Sequence, residues 1–220
     1  MLRDEPGVPA RILVVEDHPI VRLGIRQMLA EEPSLVICGE ADSPDTAMEV
    51  ARTSNPDLAV IDLTLRDGSG LELIRSLHAV RPRLPILVLS IHDEALFAER
   101  AIRAGARGYV MKQAAITGLV QAIQQVLSGR MYVSERISQG LLERLGSDAA
   151  AATGRLGNLT DRELEVLELV GQGFTTAAIA ERLGVSVKTI ETYRSNIKTK
   201  LELKDASDLI RFATMWTLNL

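Results

Sequence analysis

Between Arg11 and Ser128, short runs of apolar, mostly branched residues alternate five times with longer segments whose apolar residues recur at i, i+3 and i+4. That alternation leaves few folds open. The runs Ile12–Val15, Leu35–Cys38, Leu58–Ile61, Ile86–Leu89 and Gly108–Met111 are expected strands, and the spacing predicts helices over Pro19–Ala30, Pro44–Thr53, Gly70–Val80, Glu94–Ala104 and Ile116–Leu127. Ser43 before Pro44 reads as a helix cap, Pro19 suits the first helical turn, and Gly105 follows the fourth helix. Strands joined through helices by connections of a few residues make a parallel sheet covered on both faces. The expectation is one doubly wound α/β domain over residues 11–128.

The chain then changes character. Ser134 to Leu145 has a short helical pattern, and residues 146–157 are small and glycine-flanked, so residues 129–157 are expected to form a connector. Residues 158–220 carry no strand signal and are expected to be all α. Thr160 and Glu163 have capping-box spacing ahead of Leu164, Val166-Leu167 and Leu169-Val170, with an end at Gly171 or Gly173. Ala177 to Leu183, the turn Gly184-Val185-Ser186 and a longer polar helix Val187 to Leu201 then form a helix-turn-helix. A last helix over Asp205 to Trp216 is expected to turn Ala206, Leu209, Ile210, Ala213 and Trp216 to one side.

Composition narrows the function. Of 220 residues 46% are hydrophobic, enough for packed cores, and the formal charge of -4 excludes a uniformly basic nucleic-acid binder while allowing a local basic face. Cys38 is the only cysteine, which rules out an internal disulfide or a cysteine-built zinc cluster, and its apolar run predicts a small buried side chain. With no apolar run of about 18 residues and no N-terminal hydrophobic leader, a soluble, cytoplasmic protein is expected, preceded by an unstructured lead-in over Met1 to Ala10.

Five polar residues close the strands at one edge. Asp62 follows the third run, Glu16 and Asp17 the first, Ser90 the fourth and Lys112 the fifth. Ligands collect at the carboxyl edge of such sheets. Converging carboxylates repel one another and raise their pKa values, which a divalent ion such as magnesium relieves. A lysine and a serine hydroxyl beside them suit a phosphoryl group, so the set is equipped to form an aspartyl phosphate. His18, without a second histidine at ligand spacing, reads as a capping or exposed residue.

In this order, Glu16-Asp17, Asp62, Ser90 and Lys112 resemble the receiver domain of bacterial response regulators, a flavodoxin-like fold. The resemblance implies that Asp62 accepts a phosphoryl group from a sensor histidine kinase. It implies that Glu16, Asp17, Asp62 and the backbone carbonyl of Thr64 hold Mg2+, that Lys112 pairs with the phosphate, and that Ser90 and Tyr109 rearrange around it. Leu65-Arg66 departs from the proline found there in many receivers.

Residues 186–204, the polar helix with its flanks, carry Lys188, Arg194, Lys198, Lys200 and Lys204 against Glu191 and Glu202, a local positive excess suited to DNA phosphates. Its sequence Thr189-Ile190-Glu191-Thr192-Tyr193, with Leu159-Thr160-Asp161-Arg162-Glu163 and Ala178 to Ser186 before it, resembles the LuxR-type helix-turn-helix. With a receiver, that is the arrangement of the NarL/FixJ class. The resemblance implies base contacts from Glu191, Thr192 and Ser195, with Lys188, Thr189, Tyr193, Arg194 and Lys198 on phosphates. Glu191 stands where many relatives have a basic residue.

The expected function is a transcription regulator, not an enzyme, that binds double-stranded DNA as a homodimer once phosphorylated and has no membrane partner. A metal-dependent phosphatase or hydrolase using Asp62, and a constitutive protein-interaction module, are the alternatives. The first wants an acid/base group two residues after the nucleophile, where Thr64 cannot serve.

Overall fold

The third apolar run becomes β3 (Leu58–Ile61), the central strand, and each of its residues is at most 1% exposed. In the computed structural model residues 8–65, 68–135, 137–139 and 155–218 are described. Parallel to β3 run β1 (Ala10–Val15) and β6 (Ile86–Ser90), flanked by β2 (Leu35–Ala41) and β7 (Gly108–Met111), in the order β2-β1-β3-β6-β7. Helices α1 (Pro19–Ala30), α2 (Pro44–Ser54), α3 (Gly70–Val80), α4 (Glu94–Ala104) and α5 (Ala115–Leu127) join them. This is the expected doubly wound sheet.

Strand periodicity divides the core. Ile12, Val14, Leu58, Val60, Leu87, Leu89 and Val110 face one way, against Ile25 and Leu29 of α1 and Leu119, Ile123 and Val126 of α5. Burying each of these larger side chains is worth about 1.5–3 kcal/mol. The intervening residues Leu13, Val15, Ala59, Ile61, Ile86, Val88 and Tyr109 are equally buried. On that side α2, α3 and α4 pack in succession, α2 against β2 and α4 against β7.

The departures from expectation are local. β2 runs three residues further, to Ala41, because Glu16 N–H finds the Ala41 carbonyl. Two-residue strands β4 (Thr64–Leu65) and β5 (Gly68–Ser69) pair antiparallel where the sequence reads as a loop; Arg66 lies outside the described residues. Cys38 is half-buried rather than buried, its Sγ 3.6 Å from Ser54 Oγ. Met1 to Gly7 of the expected lead-in lie outside the described residues, whereas Ala10 already belongs to β1. Of the pattern Ser134 to Leu145, Ser134 Oγ caps the first turn by accepting from Ile137 N–H; residues 140–145 and most of the connector again lie outside.

The described residues 155–218 belong to a second compact unit. It contains α6 (Asp161–Gly171), α7 (Thr176–Arg182), α8 (Val187–Leu201) and α9 (Ala206–Leu218). Leu164, Leu167, Ile179, Ile190, Ile197, Leu201, Leu209 and Ala213 are buried. Ser186 Oγ accepts from Thr189 N–H and caps α8 after the turn at Leu183 to Ser186. On α9 two residues expected inward face out: Ile210 is 49% exposed and Ala206 is exposed. No helix among the described residues is long and apolar enough to cross a membrane.

Candidate functional site

The sheet's strand order reverses between β1 and β3, and the crevice outside their carboxyl ends is where Asp62 lies. Its N–H donates to the Val15 carbonyl at 2.9 Å, so the residue after β3 is tied to the end of β1 and to Glu16 beyond it. Gly70 closes the loop from behind. A Cβ there would lie 2.1 Å from the Asp62 carbonyl oxygen, so only glycine lets α3 begin this close to the acid.

Asp62 is 2% exposed and Glu16 1%. Lys112 Nζ lies 2.7 Å from both Asp62 Oδ2 and Glu16 Oε2, and Thr64 N–H donates to Asp62 Oδ1 at 3.2 Å. Burial pushes the Asp62 carboxyl up to about 6, and Glu16 adds to the rise, against the opposing pull of Lys112 and the Thr64 amide. Burial works against the Lys112 ammonium, yet Asp62 and Glu16 together hold its pKa above the ordinary lysine value. One lysine therefore answers two buried carboxylates, with the Asp17 carboxylate alongside.

Ligand atoms of Glu16, Asp17, His18 and Asp62 lie within 4.8 Å of one another. His18 is the N-cap residue of α1, 64% exposed, with Nδ1 2.8 Å from Asp17 Oδ1. The three carboxylates form an oxygen donor set with excess negative charge, which fits a hard divalent cation better than a soft one.

Around Asp62 the structure also gathers Ser90, Tyr109 and a residue that sequence reasoning missed. Ser90 is fully buried at the end of β6, and its Oγ accepts from His92 N–H at 3.2 Å. His92, 3% exposed, places Nε2 2.7 Å from Thr64 Oγ1 and stacks its ring on Phe97 of α4. Its carbonyl accepts from the Tyr109 hydroxyl at 3.0 Å. Tyr109 is thus packed inward, 2% exposed. No sequence spacing marks His92, because its place beside the site exists only once the Thr64 loop folds over it.

In the second unit Lys188, Glu191, Thr192 and Ser195 are exposed on α8 at i, i+3, i+4 and i+7, one continuous stripe. Tyr193, Arg194 and Lys198 are half-buried beside it, as is Thr189. Arg194 Nη1 donates to Thr176 Oγ1 at 3.2 Å, which ties α8 to α7, and Thr189 Oγ1 lies 2.8 Å from the capping Ser186 hydroxyl. Lys200 is turned away from the stripe: its Nζ donates to Glu163 Oε2 at 2.6 Å, while the same oxygen accepts from Thr160 N–H at 2.7 Å. A capping box at the start of α6 therefore also anchors the far end of α8.

Comparison with known proteins bears on both units. Residues 12–124 match the family described as response regulator receiver domain, and residues 157–213 match the bacterial regulatory proteins of the luxR family. The DNA-binding transcriptional activator DevR/DosR of Mycobacterium tuberculosis is 36% identical over 93% of this chain and 94% of its own length. The nitrate/nitrite response regulator NarL of Escherichia coli is 31% identical over 89% of this chain and 91% of its own. RcsB of Salmonella enterica serovar Typhimurium, solved bound to the promoter rprA in the presence of the phosphomimetic BeF3-, matches 94% of this chain and 98% of its own at 27% identity and a TM-score of 0.62.

Proposed function

Because this chain belongs to the bacterial response regulators of the NarL/FixJ class, with a receiver domain followed by a LuxR-family DNA-binding domain, we propose that it is a cytoplasmic transcription regulator switched by phosphorylation of Asp62. The domains are residues 11–128 and 158–220, joined by 129–157. The observation that carries the reading is the buried Asp62 carboxylate paired with Lys112 and crowded by Glu16 at the switch point of the sheet.

The ionised Asp62 attacks the phosphorus of a phosphohistidine on a sensor kinase; a phosphorus–oxygen bond forms, the phosphorus–nitrogen bond breaks, and the imidazole leaves and takes up a proton. Lys112 exchanges its bond to Asp62 for one to the phosphoryl oxygens. Glu16, Asp17, Asp62 and the Thr64 carbonyl would hold a magnesium ion, which when bound would supply charge neutralisation for those oxygens. Ser90 donates its hydroxyl to the phosphoryl group, and Tyr109 stays packed behind it. The acyl phosphate carries close to two negative charges where the ionised carboxylate carried one, and that added charge at the edge of β3 rearranges the face built from α4, β7 and α5, which favours pairing of two chains.

Paired chains present two α8 helices to double-stranded DNA. Glu191, Thr192 and Ser195 meet base edges, and Lys188, Thr189, Tyr193, Arg194 and Lys198 meet phosphates. A carboxylate at 191 selects against guanine acceptors and favours a cytosine amino group. Regulators of this family act by binding, and Thr64 itself offers no acid/base group two residues after Asp62, which supports a binding role over a hydrolase.

A small-molecule phosphodonor with magnesium tests the chemistry. Wild type is expected to accumulate one acid-labile acylphosphate per chain and Asp62→Asn none. Label turning over many times without accumulating would favour the hydrolase instead.

A further inference from the structure

β7 is the last named strand of the sheet, and it carries Tyr109 and leads into Lys112. An unpaired edge there would leave its backbone groups open. Instead the chain returns after α5 and lays Tyr132 beside Gly108 in a parallel bridge. Tyr109 N–H donates to the Tyr132 carbonyl at 2.8 Å, and Tyr132 N–H donates to the Arg107 carbonyl at 3.0 Å. Gln125 of α5 fixes the approach by donating from Nε2 to the Met131 carbonyl at 2.6 Å.

The bridge has a prepared seat. A Cβ on Gly108 would lie 2.9 Å from the Tyr132 carbonyl oxygen and 2.8 Å from Leu87 Cδ1, so the close approach requires glycine. The Tyr132 ring packs against the cluster of β1, β3, α1 and α5, and its hydroxyl lies where a Cβ on Gly118 would come within 3.3 Å. Tyr109 is the joint of the arrangement. Its hydroxyl holds the His92 carbonyl beside Ser90 and Thr64, while its own N–H holds Tyr132.

We propose that the segment Met131 to Val133 is an added edge strand through which the state of the Asp62 site passes into the chain leading to the DNA-binding unit, with Tyr132 as the positioning residue. This rests on the reading of Asp62 given above. A shift of β7 as Lys112 adjusts to a phosphoryl group moves the Tyr132 backbone with it, since the two are joined by main-chain hydrogen bonds.

The test uses the full-length chain and a DNA site selected from a random library. Wild type, Gly108→Ala, Tyr132→Pro and Tyr132→Phe are compared for acylphosphate formation, for the ratio of DNA affinities with and without phosphodonor, and for amide exchange at Tyr109 and Tyr132. Tyr132→Pro removes the N–H that Arg107 accepts and leaves the sheet interior alone, so it serves should Gly108→Ala not fold. All four are expected to take up phosphate. Tyr132→Phe keeps the wild-type affinity ratio within about twofold, whereas Gly108→Ala and Tyr132→Pro, with faster exchange at Tyr109, lose at least about fivefold of it. A variant whose bridge has opened while the wild-type ratio persists overturns the proposal, as does loss of phosphate uptake in the bridge variants. A wild-type chain that takes up phosphate with no gain in affinity overturns the Asp62 reading as well.

Discussion

Asp62 is held in a state that costs the fold something. Its carboxyl titrates near 6, above the ordinary value, first because it is buried and then because Glu16 is close. The folded chain therefore binds this proton more tightly than the unfolded chain, and stability falls as pH rises from about 4 to about 6. Above that the penalty is constant, about 3 kcal/mol for a rise from 3.8 to about 6. Asp62→Asn is expected to raise the thermal midpoint of the receiver at pH 7.5 and to leave it nearly unchanged at pH 4; a lowered midpoint at pH 7.5 would mean that the Lys112 pair outweighs burial. The same proton competes with phosphoryl transfer and with magnesium, so acylphosphate formation is expected to decline below about pH 6. At this scale the sequence was informative wherever a residue closes a strand, because strand ends fix position: Glu16, Asp62 and Lys112 meet at the ends of β1, β3 and β7, and Ser90 is buried at the end of β6. His92 was not legible, since its role depends on Thr64 folding back to meet it and no periodicity encodes that contact.

Among the elements, α6 and α8 are fastened together by one carboxylate. Glu163 is buried, which alone would raise its pKa, yet the hydrogen bonds from Lys200 and from the backbone and hydroxyl of Thr160 hold it below the usual carboxylate value. The second unit therefore keeps this stabilisation at neutral pH and loses it as pH falls through the depressed value, the opposite sign to Asp62. Lys200→Met is expected to destabilise the unit by about 1–2 kcal/mol. Trp216, the single tryptophan, lies on α9 and reports that transition by fluorescence; an unchanged urea midpoint would contradict the assignment. Helices α1, α3 and α4 and strands β3 and β7 keep the bounds that their spacing and punctuation imply. The pair β4 and β5 escaped because two-residue strands carry no period of their own. Ile210 was expected inward from its pairing with Leu209, but α9 buries the narrower stripe of Leu209 and Ala213.

For the molecule as a whole, the claim is that charge added at one end of a sheet changes the DNA affinity of a helix in another unit. Neither unit does this alone, and the net charge of -4 means that attraction to DNA comes from the few cations on and beside the α8 stripe. Each DNA phosphate neutralised steepens the dependence of log affinity on log salt by about 0.9, so a pair of chains is expected to show about twice the slope of a single one. The most direct measurement is therefore the affinity of the full-length chain for its selected DNA site across a salt series, with and without phosphodonor and magnesium, for wild type and Asp62→Asn. Phosphodonor is expected to tighten wild-type binding by about tenfold or more and to steepen its salt slope, while Asp62→Asn responds in neither. Equal affinity and equal slope for the charged and uncharged wild-type chain would contradict it.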